Sequence, residues 1–170
     1  MFEISITEET IKILIVALGL FIAREDSTWT DTKLTLALIA GLVFGIAEGF
    51  GYIFNGSYSH LGEIVLFLSR MFHPVLTVTL MAGLILLVKG RKLPGVLIAV
   101  SPYFTHAFID YSLSIENYIG VSVVFIASFV MFLAGIYLLL PVIDEEKNTR
   151  AKFQREATVN IEDHWLKKLN

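Results

Sequence analysis

Cysteine is absent from the 170 residues. Its absence excludes disulfides, thiolate metal sites and a cysteine nucleophile together, and it leaves the redox compartment unreadable. Charge is scarce as well. Asp, Glu, Lys and Arg make up 17% of the chain, against about 25% in ordinary soluble domains. Apolar mass takes its place: 55% of the residues are hydrophobic, more than a small soluble sphere has interior to hide. Most soluble globular folds are thereby excluded. Segments of strand-like alternation are missing, which excludes a membrane barrel. The four prolines stand singly, and no linker or low-complexity stretch marks off a further globular domain. A net charge of -3 gives no reason to expect nucleic acid as a partner.

What the chain does contain is long apolar runs, the mark of bilayer spans. A hydrocarbon core of about 30 Å takes about 20 helical residues. Five segments approach that length, at 6–23, 33–54, 62–88, 93–115 and 118–143. The expected fold class is all-α, a polytopic transmembrane helical bundle of about five spans over residues 1–143. Residues 144–170 read as a charged cytoplasmic tail, either a surface helix against lipid headgroups or an extension. The first segment is not a signal peptide, because Glu3, Glu8 and Glu9 stand where a basic head belongs. Turn residues mark the joints: Ser27-Thr28-Trp29-Thr30-Asp31, with Thr30 or Asp31 as helix cap, then Asn55-Gly56-Ser57, then Lys89-Gly90-Arg91-Lys92-Leu93-Pro94.

Basic residues set the orientation, since cytoplasmic loops are enriched in Lys and Arg. Arg24 and Lys33 follow the first segment, and Lys89, Arg91 and Lys92 follow the third. The tail adds Lys147, Arg150, Lys152, Arg155, Lys167 and Lys168. The loops after the second and fourth segments hold none. The N-terminus is therefore expected outside and the C-terminus in the cytoplasm.

Ionisable groups at membrane depth cost about 2.5–3.5 kcal/mol each on insertion scales, and they face a protein interior or a watery cavity. Here they are Glu8, Glu9, Lys12, Glu48, Arg70, His73, His106 and Asp110. Glu48, His73, His106 and Asp110 lie about 8–16 Å from the outer ends of their segments at helical rise. Glu8 and Glu9 open the first segment at the same side. Four segments thus deliver titratable groups to one layer in the outer half, and the fifth reads as a structural wall. Spacing of three or four residues puts Glu8 with Lys12, Glu48 with Tyr52, His106 with Asp110, and Arg70 with His73 and Thr77 on common faces. Such a layer can activate water or hold a divalent ion, and His followed by Asp four residues later can present zinc ligands. A proton- or cation-coupled transporter or channel would line a cavity with the same residue types. It would also need a path to the inner face, where these segments carry almost no ionisable group. Gly41, Gly45 and Gly49 form a small-residue stripe expected to pack the second segment against its neighbours, with Glu48 held near the layer. Pro74 is expected to kink the third segment just after His73. His60 and His164 have no motif around them.

The ordered set resembles the PrsW family of intramembrane proteases, related to the CAAX-type prenyl-protein endopeptidases and bacterial immunity membrane proteases. Glu8-Glu9-Thr10-Ile11-Lys12 resembles its EExxK motif. Gly45-Ile46-Ala47-Glu48-Gly49-Phe50-Gly51-Tyr52 resembles its second block. Arg70-Met71-Phe72-His73-Pro74-Val75-Leu76-Thr77 resembles RxxHxxxT, and His106-Ala107-Phe108-Ile109-Asp110 resembles the closing HxxxN/D block. Gly49 and Asp110 stand where the family often has Asn, and the chain starts close to EExxK, so the Glu pair is expected at a loosely enclosed outer interface. The resemblance implies an intramembrane endopeptidase acting on a membrane-anchored protein near the outer leaflet of a prokaryotic plasma membrane. By the same resemblance, Glu8 or Glu9 activates a water. His73 and His106 orient it, polarise the scissile carbonyl or bind metal, and Asp110 fixes His106 or joins an oxyanion site. Lys12, Glu48 and Arg70 support them. A divalent metal such as zinc, held by His73, His106 and Asp110, and metal-free glutamate catalysis are both compatible with it. So is a catalytically inactive relative that binds membrane partners.

Overall fold

The computed structural model describes residues 2–23, 29–55, 60–115 and 117–169, and they form six helices. These are α1 (Phe2–Ala23), α2 (Thr30–Asn55), α3 (His60–Arg70), α4 (His73–Val88), α5 (Lys92–Ser114) and α6 (Tyr118–Leu169). No strand occurs among the described residues, and the fold is all-α. Thr30 opens α2, and the Asp31 carboxylate accepts the Thr32 N–H at 2.9 Å. The turn residues expected at Ser27-Thr28 and Gly56-Ser57 lie outside the described residues, as does Arg24.

Three stretches are long and apolar enough to cross a membrane by length and composition: Thr30–Gly51, Ile64–Val88 and Tyr118–Glu156. Helices α1 and α5 have 22 and 23 residues, and each carries polar groups that dilute its apolar character. Large apolar side chains such as Phe21, Phe54, Val88 and Ile119 are exposed, while Glu9, Lys12, Arg70, His73 and His106 are buried. Apolar outside and charged inside is the arrangement hydrocarbon imposes. The chain is a multi-pass membrane protein.

The segment expected as one span over 62–88 is two helices, with a turn at Met71 and Phe72. The sequence places the kink after His73; the structure puts the break before it. The reason is local. Pro74 sits in the first turn of α4, where a missing N–H costs nothing because that position has no intrahelical acceptor. The turn is closed by the Met71 N–H to the Phe67 carbonyl and the Phe72 N–H to the Ser69 carbonyl, both at 3.1 Å.

The glycine stripe of α2 packs on this break. A Cβ on Gly41 would lie 2.6 Å from Pro74 Cα, and one on Gly49 would lie 2.9 Å from the Phe67 ring. One on Gly45 would run into the Arg70 carbonyl oxygen. Only hydrogen atoms fit there, so α2 approaches close enough to hold Glu48 beside Arg70 and His73. Gly83 does the same between α4 and α5, where a Cβ would come within 2.6 Å of Ala99 Cα.

By its contacts the chain divides into two compact units, Met1–Leu139 and Leu140–Asn170. Within the first, α6 packs Phe125 on Phe72 (4.7 Å between ring centroids), and Ser128 Oγ donates to Thr105 Oγ1 at 3.0 Å. Arg91 Nη1 donates to the Leu138 carbonyl at 3.0 Å. The second unit is helical, with Pro141 inside the helix and an exposed Lys152–Glu156 pair at 3.9 Å.

Candidate active site

Helix α1 presents three of the polar groups. Glu9 and Lys12, one turn apart, form a fully buried ion pair of 2.6 Å. Glu8 lies nearer the rim, its side chain 18% exposed. Helix α2 brings Glu48, α3 ends on Arg70, α4 begins on His73, and α5 brings His106 and Asp110. Because α3 stops and α4 starts at this level, Arg70 and His73 both stand at helix ends beside the same layer.

Seven of these groups close into a ring of contacts. Lys12 Nζ reaches Glu9 Oε1 at 2.6 Å and His73 Nδ1 at 2.7 Å. His73 Nε2 meets Glu48 Oε2 at 2.7 Å, and Glu48 Oε1 lies 3.1 Å from Arg70 Nε. Arg70 Nη1 lies 2.8 Å from Asp110 Oδ1 and 3.3 Å from His106 Nε2. His106 Nδ1, 2.9 Å from Glu9 Oε1, completes the ring. Ammonium and guanidinium groups only donate. His73 Nδ1 therefore accepts from Lys12, and its Nε2–H donates to Glu48. His106 Nε2 accepts from Arg70, and its Nδ1–H donates to Glu9.

Glu8 stands outside this ring. Its Oε2 is 3.2 Å from His106 Nε2, and it has no hydrogen-bond partner among the described residues, like Oε2 of Glu9. A carboxylate oxygen facing an imidazole nitrogen whose lone pair has only the long 3.3 Å Arg70 contact is a place for a cation or a proton. One ligand atom each from Glu8, His73 and His106 lies within 4.8 Å of the others. Two imidazoles and a carboxylate are a donor set that zinc takes, so the residues fit a divalent metal. Asp110 Oδ2 is 3.6 Å from His106 Nε2 while Oδ1 is held by Arg70.

All eight groups singled out in the sequence meet here, though not always in the expected pairs. Lys12 takes Glu9 three residues before it, and Glu8 turns to His106. The loose enclosure expected for the Glu pair does not hold for Glu9, which is fully buried, whereas Glu8 keeps part of its side chain exposed. Thr77 donates to the His73 carbonyl at 2.9 Å and braces the start of α4. The Tyr52, His60 and His164 side chains lie outside the described residues. Helix α6 supplies no ionisable group to the ring among the described residues. Phe44 was not foreseen. Its ring stands edge-on to His73 at 5.4 Å, with the Lys12 ammonium 4.6 Å from its centroid. The one signal for it is its place one turn before Glu48 on the same face.

The sequence model described as PrsW family intramembrane metalloprotease matches residues 1–138. No curated protein and no solved structure matches the chain. The family match takes in every helix that contributes to the ring, α1 to α5. With buried glutamates, histidines and basic groups meeting on a bundle whose apolar side chains face outward, this chain belongs to the PrsW family of intramembrane metalloproteases.

Proposed function

We propose that the chain is an intramembrane endopeptidase that cleaves a membrane-anchored protein near the outer leaflet of a prokaryotic plasma membrane, with Glu8 as general base. One observation carries the choice of Glu8. Glu9, Glu48 and Asp110 are each paired with Lys12 or Arg70, whereas Glu8 faces the imidazole of His106 and keeps access to solvent. A base must reach both water and the scissile carbonyl, and a carboxylate locked between cations does not.

In this reading Glu8 takes a proton from a water, and the resulting hydroxide attacks the carbonyl carbon. Donors beside it, the Nε2–H of His73 and the guanidinium of Arg70, receive the charge that builds on the carbonyl oxygen. Glu8 returns the proton to the leaving amine as the C–N bond breaks. Glu9 holds His106 through its Nδ1–H, and Asp110 holds Arg70. A divalent ion, zinc by donor type, would be held by Glu8 and His106, with His73 joining them only where its Nε2 gives up the proton and the donor role above, and would polarise the scissile carbonyl and the attacking water.

The test is cleavage of co-reconstituted single-span substrates by wild type, Glu8→Gln and His73→Ala. Losing a general base costs about 10²–10⁴ in rate, and Glu8→Gln is expected in that range. Equal cleavage by all three proteins would overturn the mechanism.

A further inference from the structure

The two histidines of the layer, 4.9 Å apart between ring centroids, have different groups behind Nδ1. Behind His106 is a carboxylate: Glu9 Oε1 accepts the Nδ1–H at 2.9 Å and leaves the Nε2 lone pair on the side of Glu8, where Arg70 Nη1 approaches it only at a long 3.3 Å. Metal-ligating histidines have this arrangement, giving one N–H to a carboxylate or carbonyl and the other lone pair to the ion. Behind His73 is an ammonium. Lys12 Nζ, fully buried and 2.7 Å from Nδ1, occupies that lone pair and has nothing with which to accept a proton. The ring proton is therefore on Nε2, donated to Glu48 at 2.7 Å. His73 cannot offer Nε2 to an ion while its proton is there, and the proton cannot move to Nδ1 while Lys12 occupies that nitrogen.

We propose that Lys12 is a positioning residue that holds His73 as a hydrogen-bond donor and withholds it from metal coordination. A divalent ion in the site then meets Glu8 and His106 first, and gains His73 only after Lys12 leaves Nδ1. This rests on the reading of the layer as a hydrolytic site and adds a control to it. Release needs no change in proton count: one N–H bond breaks at Nε2 and one forms at Nδ1, and the ring stays neutral. The ammonium keeps a partner throughout, because Glu9 Oε1 already holds it at 2.6 Å. Phe44, packed against both Lys12 and His73, keeps the pair in register.

The experiment is nitrogen-15 histidine NMR of the full chain in lipid nanodiscs, with and without zinc, alongside a zinc-binding isotherm. Wild type and Lys12→Arg should show His73 with its proton on Nε2 in both conditions. Lys12→Gln supplies an amide oxygen that accepts Nδ1–H. It should bind zinc at least tenfold more tightly, with the His73 proton on Nδ1. Lys12→Met removes the charge without adding an acceptor and reads out charge alone. Wild-type His73 protonated on Nδ1, or coordinating zinc as readily as in Lys12→Gln, would overturn the proposal. The wild-type spectra decide the matter even if the variants fail to fold. None of these readouts needs a substrate. A wrong tautomer therefore refutes the role of Lys12 alone, whereas equal cleavage by Glu8→Gln refutes the hydrolytic reading alone.

Discussion

Two adjacent glutamates on α1 have different surroundings, and single substitutions should separate them. Glu9 Oε1 receives both the Lys12 ammonium and the His106 Nδ1–H, with the whole side chain buried. Glu9→Gln leaves that ammonium short of its buried counter-charge. Breaking such a pair costs about 3–5 kcal/mol, so a lowered unfolding midpoint in detergent is expected together with lost cleavage. Glu8→Gln removes an oxygen that no donor in the described structure satisfies. It should lose cleavage while keeping the wild-type midpoint, and the reverse pattern would exchange the two roles. The residues themselves were legible in the sequence, because charge at membrane depth is rare enough to notice. Their pairing was not. Three and four residues both lie on one helix face, so spacing alone cannot choose between Glu8 and Glu9 for Lys12. The choice is made by α4 and α5, which bring His73 to Lys12 and His106 over the two glutamates. Phe44 escaped notice for a related reason: an apolar residue in an apolar run carries no mark of what it covers.

At the scale of helices, the approach of α2 to the α3–α4 break is set by hydrogen atoms where side chains would otherwise be. Gly45→Ala drives a methyl group into the Arg70 carbonyl. Overpacking of this kind costs about 1–3 kcal/mol, and the displaced helix would carry Glu48 away from His73. Reduced cleavage and a lower midpoint are expected together. Gly51→Ala, with nothing within 4 Å of its added Cβ, is the control. It should be neutral or stabilise α2 by about 0.5–1 kcal/mol. If both glycines tolerate alanine equally, the close approach does not hold the site. The apolar runs foretold which stretches are helical, whereas the division of the third did not show in them. Its composition stays apolar through Met71 and Phe72, and Pro74 is tolerated in the first turn of the helix that follows.

For the whole molecule, we infer from the distribution of basic residues that the N-terminus lies outside, and the lack of cysteine makes the test clean. A cysteine introduced at Lys92, the first residue of α5, should react with a membrane-impermeant maleimide only from the cytoplasmic side. One at Asn117, between α5 and α6, should react only from outside. The opposite result would turn the molecule over and move the polar layer to the inner leaflet. The layer has a further consequence, which follows from counting its charges. Glu8, Glu9, Glu48 and Asp110 oppose only Lys12 and Arg70, so with neutral imidazoles the eight groups sum to -2. Hydrocarbon around the bundle supplies no counterions, and the field of that excess reaches out through the open rim. Such a field draws in cations and turns acidic peptide away. A membrane-anchored substrate bearing lysine just outside the scissile bond should therefore be cut faster than the same substrate bearing aspartate, and added salt should narrow the difference. The charge that orders the interior would thus also sort what comes to be cut.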